Sequence, residues 1–120
     1  MSDRTTATAV LEQFIEAIAG ASADGLPLSE NAEFIGAMLP EPLRGKGEVI
    51  RHLNEIAPFI KSMRRLESLV SGSAAAVASE FTGINGVRFQ GSYFLNIDNG
   101  TINRIRAVVD THPLFTGRSG

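Results

Sequence analysis

The sequence predicts an α+β fold, with helices gathered on one face of an antiparallel sheet, and three observations carry that expectation. The first is a stretch of period-two alternation from Gly86 to Asp110, the signature of a half-buried hairpin. Val87, Phe89, Gly91, Tyr93, Leu95 and Ile97 fall on one side of its first arm, and Arg88, Gln90, Ser92, Phe94 and Asn96 on the other. The turn Asp98-Asn99-Gly100 supplies residues that accept positive φ. On the return arm Asn103, Ile105, Ala107 and Val109 are expected to face inward, with Ile102, Arg104, Arg106, Val108 and Asp110 outward. A two-stranded ribbon does not stand alone in water, so its apolar side needs a cover. The second observation is that two stretches at helical spacing precede it and can provide that cover. The third is the order: helix, loop, strand, proline-rich loop, helix, then four antiparallel strands in succession.

In chain order, about Thr5 to Ala19 reads as the first helix, with Ser2 or Asp3 as its N-cap and Gly20 as its stop. Its stripe is Ala7, Val10, Leu11, Phe14, Ala17 and Ile18. Ala21 to Asn31 reads as loop pinned to the core by Leu26 and Leu28, and a short strand is expected from Ala32 to Gly36. The next stretch, Ala37 to Gly45, contains Pro40 and Pro42, which suit neither a helix nor a central strand. Its bulky Met38, Leu39 and Leu43 turn that loop inward. The second helix runs from about Lys46 to Ile60, with Val49, Ile50, Leu53, Ile56, Ala57 and Ile60 on its apolar side. Glu48, Arg51, His52 and Glu55 lie on the other side, and Pro58 ends or bends it. Ser62 to Ser71 and Ser73 to Gly83 read as strands meeting at Gly72, and Gly83 to Gly86 turns into the long hairpin. After Asp110 the tail has little to bury and is expected to fray. With no internal repeat or linker, residues 1–120 read as a single domain.

Composition narrows the function classes. A hydrophobic fraction of 43% and a charged fraction of 20% are those of an ordinary globular chain. A formal net charge of −2 offers no basic excess to neutralise phosphates, so nucleic acid is not expected as a partner. No apolar run approaches the roughly 20 residues that span a bilayer, and Met1 to Val10 lacks the basic flank and apolar block of a signal peptide. The expectation is therefore a cytoplasmic protein with no membrane partner. Absence of cysteine removes disulfides and thiolate chemistry, and His52 and His112 alone make a histidine-rich metal centre unexpected. Neither a metal nor an organic cofactor is expected.

Several local features, in their order and spacing, resemble the SnoaL-like branch of the superfamily that includes nuclear transport factor 2 and ketosteroid isomerase. They are the opening amphipathic helix, Leu26-Pro27-Leu28 with Asn31-Ala32 before the first strand, and Leu43-Arg44-Gly45 before the second helix. The ending Asp98-Asn99-Gly100-Thr101-Ile102, followed by Arg104-Ile105-Arg106 and Val109-Asp110, is similar too. The likeness covers about Thr5 to Phe115. It implies a cystatin-like, NTF2-like architecture: a curved sheet forming a cone, helices closing one end, an inner pocket, and often a homodimer through the outer sheet face.

Function does not travel with this fold, which hosts isomerases, cyclases, epoxide hydrolases, dehydratases and binders without turnover. The isomerase constellation is an aspartate base with an oxyanion hole of a tyrosine and a protonated aspartate. At the similar positions this chain has Phe14 for the tyrosine, a residue near Gly36 for the base, and Tyr93 or Ser92 for the protonated aspartate. The Arg and paired Asp of the epoxide hydrolases correspond to Phe81 or Ser79, a residue near Gly83, and Ala107. Neither set of catalytic groups is present.

Polar candidates are few. Tyr93, the only tyrosine, sits on the apolar face of the longest strand; its phenol either donates a hydrogen bond to a ligand oxygen or is tied to a neighbouring backbone group. Asp110 matches the acid that commonly ends the last strand in SnoaL-like proteins and could shuttle protons, while strict alternation places it outside, beside Arg104 and Arg106. His112 is close enough to pair with Asp110, and His52 reads as a solvated or salt-bridged residue flanked by Glu48 and Glu55. Glu33 reads as a surface carboxylate, and Arg44 as either an anion contact or a loop tie. Phe14, Phe34, Met38, Leu39, Phe59, Phe81, Phe89 and Tyr93 are expected to line the pocket, a pattern that plain core would also produce.

Two functions compete on these grounds. One is a pocket of a few hundred Å³ that binds a small apolar molecule, with isomerisation, cyclisation or dehydration by Tyr93 and Asp110 as the chemistry implied. The other is a dimeric binding or scaffold protein without turnover, whose outer face centres on Phe94, Val108 and Ile102, ringed by Arg88, Arg104 and Arg106.

Overall fold

The computed structural model describes residues 3–19, 22–36 and 39–109, with side chains described for 6–19, 22–36 and 39–108. Helix α1 spans Asp3–Ile18 and helix α2 Lys46–Ile56, the latter running into a short 3₁₀ turn over Ala57–Phe59. Pro58 sits inside that tighter turn, where its missing N–H breaks the α-helical ladder. The strands are β1 (Leu28–Gly36), β2 (Leu43–Arg44), β3 (Ile60–Ser71), β4 (Ala74–Gly83), β5 (Arg88–Asp98) and β6 (Thr101–Val109). They form one curved, unclosed six-stranded sheet in the order β2-β1-β6-β5-β4-β3.

From β3 to β6 the strands form an antiparallel meander, as the sequence predicts. One departure is that β1 pairs with β6 in parallel, which makes the sheet mixed. A second is that β1 begins at Leu28 instead of Ala32. Its pairing with β6 jumps from Leu28↔Ile102 to Glu33↔Arg104, so several β1 residues bulge outward where the alternation is lost. The Asn99-Gly100 turn has φ of 52° and 75°, the positive values a two-residue hairpin of this twist requires. Gly45, at the entrance to α2, has φ of 97°, and its N–H donates to the Ala32 carbonyl at 2.8 Å, fixing the helix start against β1.

Both helices lie on the same face of the sheet, α1 against β3, β4 and β5, and α2 against β1 and β2. All six residues of the expected α1 stripe are buried, and Ile15 joins them. The inner face of β4 and β5 reads Ala75, Val77, Ser79, Phe81 and Gly91, Tyr93, Leu95, Ile97, all buried. On β6 the expected alternation fails at one point. Ile102 is fully buried instead of outward-facing, because Ile97 pairs with Ile102 while Asn96 pairs with Arg104, leaving Asn103 as the extra residue of a bulge. The bulge flips the face, so Ile102, Ile105 and Ala107 all point into the core.

Among the described residues, no helix is long and apolar enough to cross a membrane.

Candidate functional site

The two helices cover the inner face unevenly, and a cavity remains between the sheet and α2. Its volume is about 60 Å³ and it is partly open on one side, smaller than the few hundred Å³ expected from the sequence. Phe34 of β1, Phe81 of β4, Phe89 and Tyr93 of β5, and Leu39 of the proline-rich loop contribute to its wall. Ala107 of β6, Leu53 and Ile56 of α2, and Ala17 and Ile18 of α1 complete most of the rest. Gly36 and Ala107 are small residues beside the aromatic rings of the wall. A Cβ on Gly36 would meet Cε1 of Phe34 at 3.3 Å, so this position has little room for a side chain beside that ring.

Tyr93 is buried and takes Phe14 edge-on, with ring centroids 5.2 Å apart, and Phe81 more distantly at 6.4 Å. Its phenol shares the cavity wall. Burial alone pushes its pKa up to about 12, so the group is a neutral donor across the working range of pH. Phe81 and Phe89 stack at 5.2 Å with 14° between their planes, forming a flat section of wall.

His52 is the residue that the sequence reading misplaced. It lies in the cavity wall, half-buried, with its ring edge-on to Phe34 at 4.9 Å and 61°. Burial lowers its pKa, Glu55 works against that shift and Arg51 adds to it. A signal for this position exists in the sequence, since 49, 52, 53 and 56 share one helical face by i, i+3, i+4 spacing. The charged neighbours Glu48, Arg51 and Glu55 obscured it. They pair among themselves on the solvent side, Arg51 with Glu48 and, at 4.0 Å, with Glu55.

The other candidates divide as follows. Phe14 is fully buried behind Tyr93 and Phe59 is half-buried, and neither belongs to the cavity wall. Met38, Asp110 and His112 lie outside the described residues, as does the N-cap expected at Ser2. Glu33, 18% exposed, is held by Arg44 and by Arg104, each at 3.2 Å, so Arg44 is engaged with a carboxylate and not presented to an anion. Ser79 is a residue that the sequence did not single out as polar core: it is fully buried and its Oγ has no hydrogen-bond partner. Among the described residues, no group of three or more His, Asp or Glu is arranged to hold a metal ion.

On the outer face, Leu69, Ala76, Phe94 and Arg106 form one row across β3, β4, β5 and β6, and Ala78, Ser92 and Val108 fall in the next. Leu69, Phe94 and Val108 are 57%, 48% and 55% exposed, an unusual concentration of large apolar surface. Ile102 is absent from this patch because the β6 bulge turns it inward.

No protein-family model and no curated protein matches the sequence. Solved structures do match in shape. A SnoaL-like polyketide cyclase from Jannaschia sp. CCS1 has a TM-score of 0.80 at 14% identity, covering 100% of this chain and 96% of that one. A steroid delta-isomerase from Pseudomonas aeruginosa has a TM-score of 0.77 at 21% identity, over 93% of this chain and 85% of its own. A de novo designed protein with a curved β-sheet has a TM-score of 0.80 at 22% identity, over 98% and 94%. A designed relative of equal likeness shows that the shared quantity is architecture, not chemistry. The chain therefore has the fold of the SnoaL-like and NTF2-like proteins.

Proposed function

We infer that this protein binds a small, mostly apolar molecule in the cavity between the sheet and α2, with the Tyr93 hydroxyl as its polar contact. The observation that supports this reading is a buried phenol ring on the wall of a partly open, mostly apolar cavity. A phenol on such a wall can donate a hydrogen bond to an oxygen of a bound molecule. The fold neighbours include a cyclase and an isomerase, so the chemistries in view are isomerisation, cyclisation and dehydration. Tyr93, and Asp110 as the family resemblance assigns it, are the acid–base groups this reading offers. At about 60 Å³ the cavity accommodates one end of a ligand, with the remainder leaving through the open side. Native mass spectrometry of freshly purified protein is the direct test. A retained small molecule, lost in Tyr93→Phe, is the expected result. A bare protein mass, with no binder from a screen of small apolar molecules, would end the reading.

A second reading, a dimeric scaffold without turnover, draws on the exposed patch of Leu69, Phe94 and Val108 flanked by Arg104 and Arg106. An apolar centre with a charged rim is the anatomy of a subunit interface. Light scattering at micromolar concentration is expected to give a dimer that Phe94→Lys converts to monomer. A monomeric wild type removes this reading and leaves the first intact.

A further inference from the structure

Building on the cavity as the ligand site, we propose that His52 restricts it to neutral ligands that bring a hydroxyl or carbonyl group inward, where imidazole and phenol are the polar partners. The wall itself argues for the charge restriction. Among the described residues it carries no carboxylate, ammonium or guanidinium, and His52 and Tyr93 are its two titratable side chains. The charged residues next in sequence to Phe34 and His52 are engaged in ion pairs, Glu33 with Arg44 and Arg104, and Arg51 with Glu48 and Glu55. An ionic ligand would shed its hydration here with no counter-charge to offset the loss.

His52 then decides what polar chemistry is accepted. Phe34 faces its ring from β1, Tyr93 shares the cavity from β5, and both are uncharged. Glu55 and Arg51 on its own helix act on it in opposite directions. The half-buried imidazole stays neutral at pH 7, offering one donor and one acceptor. A ligand hydroxyl can donate to its free nitrogen and accept from the Tyr93 phenol, whereas a wholly apolar ligand makes neither contact. Protonating His52 changes the site in a definite direction. A ligand seated over an imidazolium would strip water from a charge, so binding and protonation oppose each other. Affinity therefore falls as pH drops below the ordinary histidine value of 6.5.

The test uses three probes with one ring and different charges: benzyl alcohol, benzoate and benzylamine. Binding is read from NMR shifts of the Phe34, His52 and Tyr93 side chains. At about pH 8 the alcohol is expected to bind about ten-fold or more tightly than either ion. Its affinity is expected to fall several-fold by about pH 4.5 in the wild type and to hold steady in His52→Gln, which keeps a donor and an acceptor without titrating. Should His52→Gln fail to fold, His52→Asn serves for the same comparison. Equal binding of the ions, or a pH dependence that persists in the variants, overturns the role of His52 while the cavity remains a binding site. Failure of all three probes at both pH values, with no shift at Phe34 or Tyr93, overturns the cavity reading and this inference together.

Discussion

The two helices cover one sheet face and produce opposite results. Under α1 the packing is tight: Leu11, Phe14 and Val77 are at most 2% exposed, and seven apolar residues of this helix are buried. Beneath α2 only Val49 and Leu53 of the helix are buried, and the space beside them stays open. Both helices are amphipathic and each makes an aromatic contact, Phe14 of α1 with Tyr93 and His52 of α2 with Phe34, but α1 is the more apolar of the two. Geometry adds to this: α2 is shorter, ends at a proline turn, and approaches the sheet across β1 and β2. The sheet face thus carries its tight packing at one end and its open cavity at the other.

Substitutions break or sharpen that division. The largest effect is expected at Phe14. Its truncation to alanine should cost about 3–5 kcal/mol, the range for a fully buried aromatic, while Phe89→Ala on the half-buried rim should cost less than half as much. Urea unfolding measures both, and equal losses would erase the distinction between the two ends. Next, Ala107→Val places two methyl groups at the cavity. Ligand affinity is expected to drop about ten-fold or more, with stability changed by no more than about 1 kcal/mol. Ser79→Ala belongs to the packed sheet interior and removes a hydroxyl with no partner. It is expected to be neutral or to stabilise by up to about 1 kcal/mol, and a clear destabilisation would show that the hydroxyl is in use.

The smallest effect separates the ends by pH. His52 is depressed below 6.5 in the folded protein, so the unfolded chain takes up its proton first as pH falls. Its contribution to stability is complete above 6.5 and is lost as pH falls through the folded value. Urea midpoints are therefore expected to decline between about pH 8 and pH 5.5 more in the wild type than in His52→Gln, since carboxylates titrate mostly below that window.

Much of this architecture is legible in the residues because burial writes a period into them. The α1 stripe, the β5 alternation and the turn at Asn99-Gly100 all occupy their expected places. Legibility ends where regular period ends. Ile102 and Ile105 are three apart, a spacing foreign to a flat strand, and strict alternation assigned Ile102 to the wrong face until the bulge at Asn103 is known. At the β1 start, Ser29 to Asn31 are polar and irregularly paired, so the strand begins earlier than its hydrophobic pattern suggests. The site is less legible than the fold. Tyr93 follows from alternation alone, but His52 depends on how far α2 rotates toward Phe34, a tertiary quantity that charged neighbours on the same helix conceal.

The parallel contact between the first and last strands has a consequence for how the molecule is made. Phe34 pairs with Ile105, about 70 positions later, and a closure so distant in sequence is slow compared with the hairpins between them. During synthesis, β1 emerges early with only the two-residue β2 as a neighbour, and waits for the C-terminal strand to leave the ribosome before its other edge is satisfied. The meander can assemble without it. Completion of the sheet, and of the cavity wall that Phe34 contributes, therefore waits until β6 has been made.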